Sequence, residues 1–402
     1  MRAFQGKQPV RLSPLLSRIL DGIEPKRPDI ETARAVAELS RLFTRERDAL
    51  GKDYLNDPAL AAAYRTYFFP VNLSKIQVLL EELPEDWQRP EDGTLRVLDL
   101  GTGPGTGALA VLDWLKQHDP DSLKELTVVA VDDSTEALSE ARRLWTDYSI
   151  KSGLSDASLL LYEGDLARPA DHGWRDHVAR GGPYDLIILA NCLNELFGEA
   201  ADPISRRFEL MKTLLAFLTP HGTIMIVEPA LRQVSRELHR VRDRMLEHKL
   251  CTVYSPCLHE QPCPALVHPD DWCHEERPWE PPASIQQIDE KVGFIKDALK
   301  FSYLLLRKDG KTIVERRPDV YRVVSELREM KGEKRAWLCN EQGRQEAGRQ
   351  DRLVSSENAA LDQWHRGAIV QIERIVRKER GGKVSPLGRI EQDSAVQIVR
   401  SV

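Results

Sequence analysis

The stretch VLDLGTGPGTGALAVLDWL, Val97 to Leu115, decides how the chain is read. A short apolar run ending at Leu100 has the length of a buried strand, and ALAVLDWL places apolar residues three and four apart, as a helix does. Between them Gly101, Gly103 and Gly105 supply backbone that can turn sharply and let a ligand come close. A glycine triplet alone is weak evidence, so the neighbouring strands matter. LTVVAVD ends at Asp132, where a carboxylate is placed to meet a ribose diol. SLLLYEGD ends at Asp165, from which an adenine amino group would be met, and YDLIILAN ends at Asn191, which is expected to line the same pocket.

Five runs, RVLDL, LTVVAVD, SLLLYEGD, YDLIILAN and GTIMIVEP, alternate with helical stretches from Leu95 onward, the pattern of an α/β domain with a parallel sheet. Asp99 inside the first run, the glycine turn and Asp132 together resemble class I S-adenosylmethionine-dependent methyltransferases more than nicotinamide dehydrogenases. In a dehydrogenase the turn reads GxGxxG and cradles a pyrophosphate, whereas here the third glycine of that pattern would be Thr106. The resemblance implies a Rossmann core with S-adenosyl-L-methionine as cofactor, bound by Asp99, Gly101, Gly103, Gly105, Asp132, Asp165 and Asn191. Another nucleotide, or a purely structural turn, competes with that reading.

The chain has 402 residues and is 41% hydrophobic, enough for a sizeable core, and its net charge of −6 argues against coating nucleic acid non-specifically. No apolar run approaches the ~20 residues that cross a bilayer, so no membrane partner is expected. No secretory leader is read. Arg2, Lys7, Arg11 and Arg18, with no acid among them, faintly suggest a transit segment. LSPLLSRILDGI also reads as an amphipathic helix capped by Ser13, which is preferred. Three regions are expected: a helical N-terminal region over 1–90, a methyltransferase-like core over 91–310, and a small β-containing C-terminal extension over 311–402. A helix IQQIDEKVGFIKDAL and a strand FSYLLLRK are expected to resume the core after a cysteine-rich insertion at 250–282.

That insertion holds four of the six cysteines, in CTVYSPCLHEQPCPALVHPDDWC from Cys251 to Cys273. A disulfide framework belongs to small secreted domains and fits poorly here. Structural zinc sites usually use knuckles with two to four residues between cysteines, and these gaps are wider. Wide, irregular spacing suits an iron–sulfur cluster, with zinc and free thiols as alternatives, and proximity alone makes Cys251 the fourth ligand. His259, His268 and His274 are further candidates, though in a polar loop a histidine is more often solvated.

The acceptor chemistry is not legible. The Asn/Asp-Pro-Pro-aromatic turn of amino-methylating enzymes is absent, and Asn191-Cys192-Leu193-Asn194 stands in its place. Cys192 reads better as a small buried hydrophobe than as a nucleophile, and Asn191 and Glu195 have no visible base beside them, so the catalytic residues are unknown. Arg232, Arg236, Arg240 and Arg244 recur every fourth residue as a basic ridge. From Arg366 to Arg389 seven Lys/Arg stand against two acids, which makes this tail the better RNA candidate.

The helical N-terminal region, the methyltransferase-like core and SPCLHEQPCP followed by DDWCH together resemble the small-ribosomal-subunit methyltransferase-like family, from about Arg11 to Ile375. The resemblance implies a 4Fe-4S cluster on Cys257, Cys263, Cys273 and Cys339, the last from RAWLCNEQG, and leaves Cys251 without a role. Leu258 departs from the family, which usually has proline there. The implied function is that of an S-adenosylmethionine-binding, methyltransferase-like protein acting on or with small-subunit ribosomal RNA. The alternative is a non-catalytic ribosome-assembly factor with a degenerate fold. A monomer is expected, in the cytoplasm of a bacterial relative or, alternatively, in the mitochondrial matrix.

Overall fold

The computed structural model describes residues 9–23, 29–51, 54–85, 87, 93–120, 126–154, 156–168 and 173–401; Arg2 and Lys7 lie outside them. Helices α1 (Pro14–Ile23), α2 (Ile30–Thr44), α3 (Pro58–Ala63) and α4 (Phe69–Leu80) open the chain. Their starts are set by oxygen-bearing side chains that satisfy otherwise orphaned N–H groups. Ser13 Oγ accepts from Leu16 N at 3.0 Å, Asp29 accepts from Thr32 N, and Asp57 accepts from Ala59 N and Leu60 N. All of α4 is buried, even Asn72, Ser74, Lys75 and Gln77.

The first sheet contains β1 (Leu95–Leu100), β2 (Leu126–Asp132), β3 (Ser158–Glu163), β4 (Tyr184–Ala190), β5 (Leu218–Pro229), β6 (Thr252–Ser255), β7 (Glu275–Pro278) and β8 (Ala298–Arg307). Its order is β3-β2-β1-β4-β5-β8-β6, with β7 also pairing β8. The first five strands run parallel, while β8 is antiparallel to β5. Helices α5 (Thr106–His118), α6 (Thr135–Ser152), α7 (Trp174–Gly181), α8 (Pro203–Ala216), α9 (Arg232–Glu247) and α10 (Ala283–Val292) connect them. Apolar side chains on both strand faces explain the layering. Val97 packs among Leu109, Leu112 and residues of α4, whereas Leu98 and Leu100 pack among Met211, Leu214 and Leu238. This is the class I methyltransferase-like α/β arrangement.

Two expectations are revised. The helix after the insertion stops at Val292, because Gly293 takes φ +72° and turns the chain out. The C-terminal β-structure is a full second sheet of eight strands, not a small unit. Its strands are β9 (Val320–Val323), β10 (Arg328–Met330), β11 (Glu333–Asn340), β12 (Gly343–Gln350), β13 (Ile369–Ile372), β14 (Val376–Arg380), β15 (Lys383–Arg389) and β16 (Val396–Arg400). The order is β14-β15-β12-β11-β9-β13-β16, with β10 on β11. Charged residues on one face of EKRAWLCN and GRQEAGRQ mask their alternation, so only Ala336, Leu338 and Ala347 mark the core side.

A buried polar knot joins the two sheets. Arg277 on β7 and Arg322 on β9 meet Glu82 and Glu275, and the hydroxyls of Ser255 and Tyr303 both donate to Glu82 Oε2, at 2.6 and 2.8 Å.

Candidate functional site

Strand order reverses between β1 and β4, which opens a crevice at the carboxyl ends of the strands. The glycine turn lies there. Gly101, Gly103 and Gly105 have φ of +65°, +52° and +86°, in the left-handed region that glycine occupies without strain. A Cβ at Gly101 would lie 2.6 Å from Cys192 Cβ, so the turn is also packed too tightly there for any side chain. Asp99 fastens this turn from within: it accepts from Thr102 Oγ1 at 2.5 Å and Ala108 N at 2.9 Å. Burial pushes its carboxyl up to about 6. A Cβ at Gly107 would lie 2.5 Å from Asp99 Oδ1, so Gly107 is required by the carboxylate it covers.

Asp132 stays partly open and accepts from Gly103 N at 2.7 Å and Ser134 N at 3.1 Å, while burial pushes it up to about 6. Asp165 Oδ1 accepts from Ala167 N at 2.7 Å and so closes the turn after β3. Asn191 takes φ +59°; its N–H donates to Val227 O at 2.7 Å and its carbonyl accepts from Asn194 Nδ2 at 3.2 Å. Each sequence-marked residue thus lies at a strand end or its following turn, with Asp99 and Asp165 holding backbone.

The structure adds groups that the sequence reading passed over. Glu228, at the end of β5 and 1% exposed, accepts from Asn194 Nδ2 at 2.5 Å, and burial pushes its carboxyl up to about 8. Arg47, from the N-terminal region, donates to Asn194 Oδ1. The buried hydroxyl of Tyr64 stands near Thr106, beside the glycine turn. An acid ending the apolar run GTIMIVEP was the available signal for Glu228; nothing local marked Arg47 or Tyr64. Cys192 Sγ donates to Leu100 O at 3.2 Å, and burial raises its thiol well above the usual range, so it is not a poised thiolate.

Cys257, Cys263, Cys273 and Cys339 line one cavity, together with His239, His259, His274, Arg322, Arg344 and Arg366. They arrive from three segments: the loop after β6, the approach to β7, and β11. On β11 the side chains alternate, so Leu338 enters the second sheet's core while Cys339 faces the opposite way, with Sγ 3.6 Å from His259 Nε2. Cys251 lies elsewhere, buried with Val253, Leu304 and Leu306. Burial first, then the nearness of the other thiols, raises Cys263 and Cys339 strongly and Cys273 to about 11. Around them His259 Nδ1, His274 Nδ1 and both nitrogens of His239 are buried without hydrogen-bond partners among the described residues. The donor set therefore fits a sulfur-ligated group. No three His, Cys, Asp or Glu side chains among the described residues are gathered closely enough for a single metal ion.

The basic ridge on α9 is not free. Arg232 pairs with Asp270, Arg244 lies 3.8 Å from Asp202, and Arg236 donates to four carbonyls of the cysteine loop; Arg240 remains exposed. The basic tail is likewise woven into the second sheet. Arg366 faces the cysteine cavity, Arg374 pairs with Asp393, Arg377 donates to Ser385 O, Pro386 O and Gln345 Oε1, and Arg389 pairs with Glu333, while Lys378 and Lys383 are exposed on the β14–β15 hairpin. Both arrangements have one cause: charge spacing does not reveal whether a carbonyl or a carboxylate lies opposite.

Among solved structures, the chain is similar to the mitomycin 7-O-methyltransferase MmcR at 12% identity, covering 73% of this chain and 75% of that one, with a TM-score of 0.36. It is similar to the plantazolicin methyltransferase BamL at 13% identity, covering 69% and 97%, with a TM-score of 0.33. NSun6 from Pyrococcus horikoshii matches at 15% identity over 60% and 52%, with a TM-score of 0.33. A comparison with curated protein sequences gives no match. The profile described as mitochondrial small ribosomal subunit Rsm22 matches residues 58–352, well over half of the chain, and the chain belongs to the Rsm22 family.

Proposed function

We propose that this chain is an S-adenosyl-L-methionine-binding, methyltransferase-like protein of the small ribosomal subunit, carrying a 4Fe-4S cluster and acting on or with ribosomal RNA. One arrangement carries the reading: a left-handed glycine turn converges with the carboxylates of Asp132 and Glu228 at the strand ends. The methyl donor is a sulfonium cation, so a crevice of buried acids favours it electrostatically. Bound there, the donor supplies an electrophilic methyl group. Asp132 accepts the ribose hydroxyls, Asp165 meets the adenine, Gly101, Gly103 and Gly105 give the backbone room to approach, Asp99 holds the turn, and Asn191 lines the methionine side.

Cys257, Cys263, Cys273 and Cys339 hold the cluster, with zinc as the lesser alternative. A zinc ion with Zn–S bonds of about 2.3 Å needs its four donors clustered about one point. All four thiols line one shared cavity, which supports a group held by the whole set. The group ties the second sheet to the first through Cys339 and supplies no step of methyl transfer. The proposed organisation is a region over 1–90, a core over 91–310 with the insertion at 250–282, and an extension over 311–402, acting as a monomer. The family's description supports the mitochondrial matrix over the cytoplasm.

A second reading, a non-catalytic assembly factor, is favoured by the protonated, packed Cys192 thiol and by Glu228 being held by Asn194. Calorimetry of wild-type and Asp132→Ala protein with S-adenosylmethionine tests the pocket. The loss expected is about 1–3 kcal/mol, and wild-type protein that binds no donor refutes it. Tritiated donor with immature small-subunit RNA then separates the enzyme from the assembly factor.

A further inference from the structure

Helix α9 runs beneath the cysteine loop and meets it mainly through backbone. The Arg242 side chain is 0% exposed. Its Nη2 donates to His259 O at 2.7 Å and its Nη1 to Gln261 O at 2.9 Å, both carbonyls lying between Cys257 and Cys263. The next residue, Asp243, accepts from Cys263 N at 2.9 Å, so two adjacent side chains grip that span from opposite polarities. Arg236 serves the following span, donating to the carbonyls of Ala265, Leu266, His268 and Asp271.

Arg236 and Arg242 differ in what surrounds them. Arg236 is partly open to water, whereas Arg242 is a fully buried cation whose Nε–H has no hydrogen-bond partner among the described residues. A buried guanidinium held chiefly by carbonyls is costly unless negative charge lies near. Asp243 supplies one charge but is itself 22% exposed and shared with Cys263 N–H. Cys257, Cys263 and Cys339 all lie within electrostatic reach of Arg242, so three of the four cavity sulfurs, as thiolates, complete its neutralisation. Arg344 stands toward Cys273 and Cys339 and Arg366 toward Cys273, but both have an acidic neighbour of their own, Asp271 at 3.4 Å and Glu276 at 3.9 Å.

We propose that Arg242 is the positioning residue of the sulfur-ligated group: it shapes the Cys257–Cys263 span through two carbonyls and balances the group's negative charge from below. The inference rests on the cluster reading above. Four thiolates around a 4Fe-4S core leave the whole anionic, and one-electron reduction makes it more so, so a buried cation favours the reduced form and raises the midpoint potential. Asp243 opposes that effect while fixing Cys263.

The test uses the full chain purified anaerobically, as wild type, Arg242→Gln, Arg242→Lys and Asp243→Asn, with circular dichroism as the folding control. Iron and sulfide are assayed, midpoint potentials are taken by dithionite titration followed by electron paramagnetic resonance, and iron loss to a chelator is timed. Arg242→Gln is expected to lower the potential and speed iron loss by about tenfold or more. Arg242→Lys keeps the potential near wild type yet loses iron faster, because one ammonium does not reproduce a planar fork on two carbonyls. Asp243→Asn moves the potential upward, which keeps the inference testable where Arg242→Gln fails to fold. Iron loss at the wild-type rate in both Arg242 variants, with potentials unmoved in every variant, overturns the inference alone. Wild-type protein without iron and sulfide overturns it together with the cluster reading.

Discussion

Arg277 Nη2 donates to Glu82 Oε1 at 2.7 Å across 195 residues of chain, and each side chain is 2% exposed. Glu82 also lies 3.7 Å from Arg322, so one carboxylate of the N-terminal region faces two cations, one from each sheet. Removing it leaves the two buried cations to share Glu275. Glu82→Ala is expected to cost about 3–5 kcal/mol, measured by denaturant unfolding. Arg322 and Arg277 hold the Glu82 carboxyl below its ordinary value against the opposing effect of burial. Its contribution is thus present above the unfolded value of about 4.3 and is lost as pH falls further. A Glu82→Ala protein with wild-type stability at neutral pH would falsify the role of the knot.

The crevice acids behave oppositely. Burial raises Asp132 to about 6 and Glu228 to about 8, so the stability tied to their neutral forms is present below the unfolded values of about 4 and is lost as pH rises through those folded values. A cationic donor prefers the charged crevice. Donor affinity, measured by calorimetry, is expected to rise between about pH 5.5 and pH 8.5, and the ligand-free melting temperature to carry an opposing decline. A flat affinity across that range contradicts the electrostatic account.

Gly101 and Gly103 separate conformational strain from crowding. Both have positive φ, but a Cβ at Gly103 meets nothing within 4 Å, whereas one at Gly101 strikes Cys192. Gly103→Ala should cost about 1–2 kcal/mol of stability, the left-handed penalty alone. Gly101→Ala should cost more and also weaken donor binding. Equal losses for the pair would show that packing against Cys192 does not matter.

Cys339 and Cys251 give the sharpest contrast. Cys339→Ser is expected to remove iron and brown absorbance from anaerobically purified protein and to loosen the second sheet, seen as faster proteolysis beyond Arg307. Cys251→Ser, in an apolar core, should keep the iron and lose only modest stability. The reverse pattern would reassign the ligand.

RNA contact is expected from Lys378 and Lys383 on the exposed hairpin. Their charge reversal should lower both RNA affinity and the steepness of its salt dependence. Reversal of Arg389, which pairs with Glu333, should act through stability instead. An unchanged salt slope in the Lys378 and Lys383 double reversal moves the contact to another face.

The parallel sheet was legible because strands covered on both faces read as near-continuous apolar runs, and the positive-φ turn was legible because three glycines at alternate positions have few other uses. The second sheet was underread: Glu333, Arg335 and Glu346 interrupt its apolar residues, and its order joins strands far apart in the chain. Asp99 illustrates another limit. An acid in a strand before a glycine turn reads as a ligand contact, yet its carboxylate is spent on Thr102 and Ala108. Cys339 was reachable only through family resemblance, since local spacing points to Cys251, and the α9 arginines resembled a nucleic-acid ridge until their carbonyl partners were placed.

The position of β8 between β5 and β6 governs when the cysteines can meet. Among the described residues β6 pairs only with β8, so the segment bearing Cys257, Cys263 and Cys273 is translated before the strand that anchors it, and Cys339 follows later still. At about 5–20 residues per second, the first three thiols spend seconds outside the exit tunnel as separate, unshielded groups. On the proposed cluster reading, capture of a foreign metal or oxidation in that interval would trap the insertion before Cys339 exists, which makes delivery after translation of β11 the order compatible with this fold.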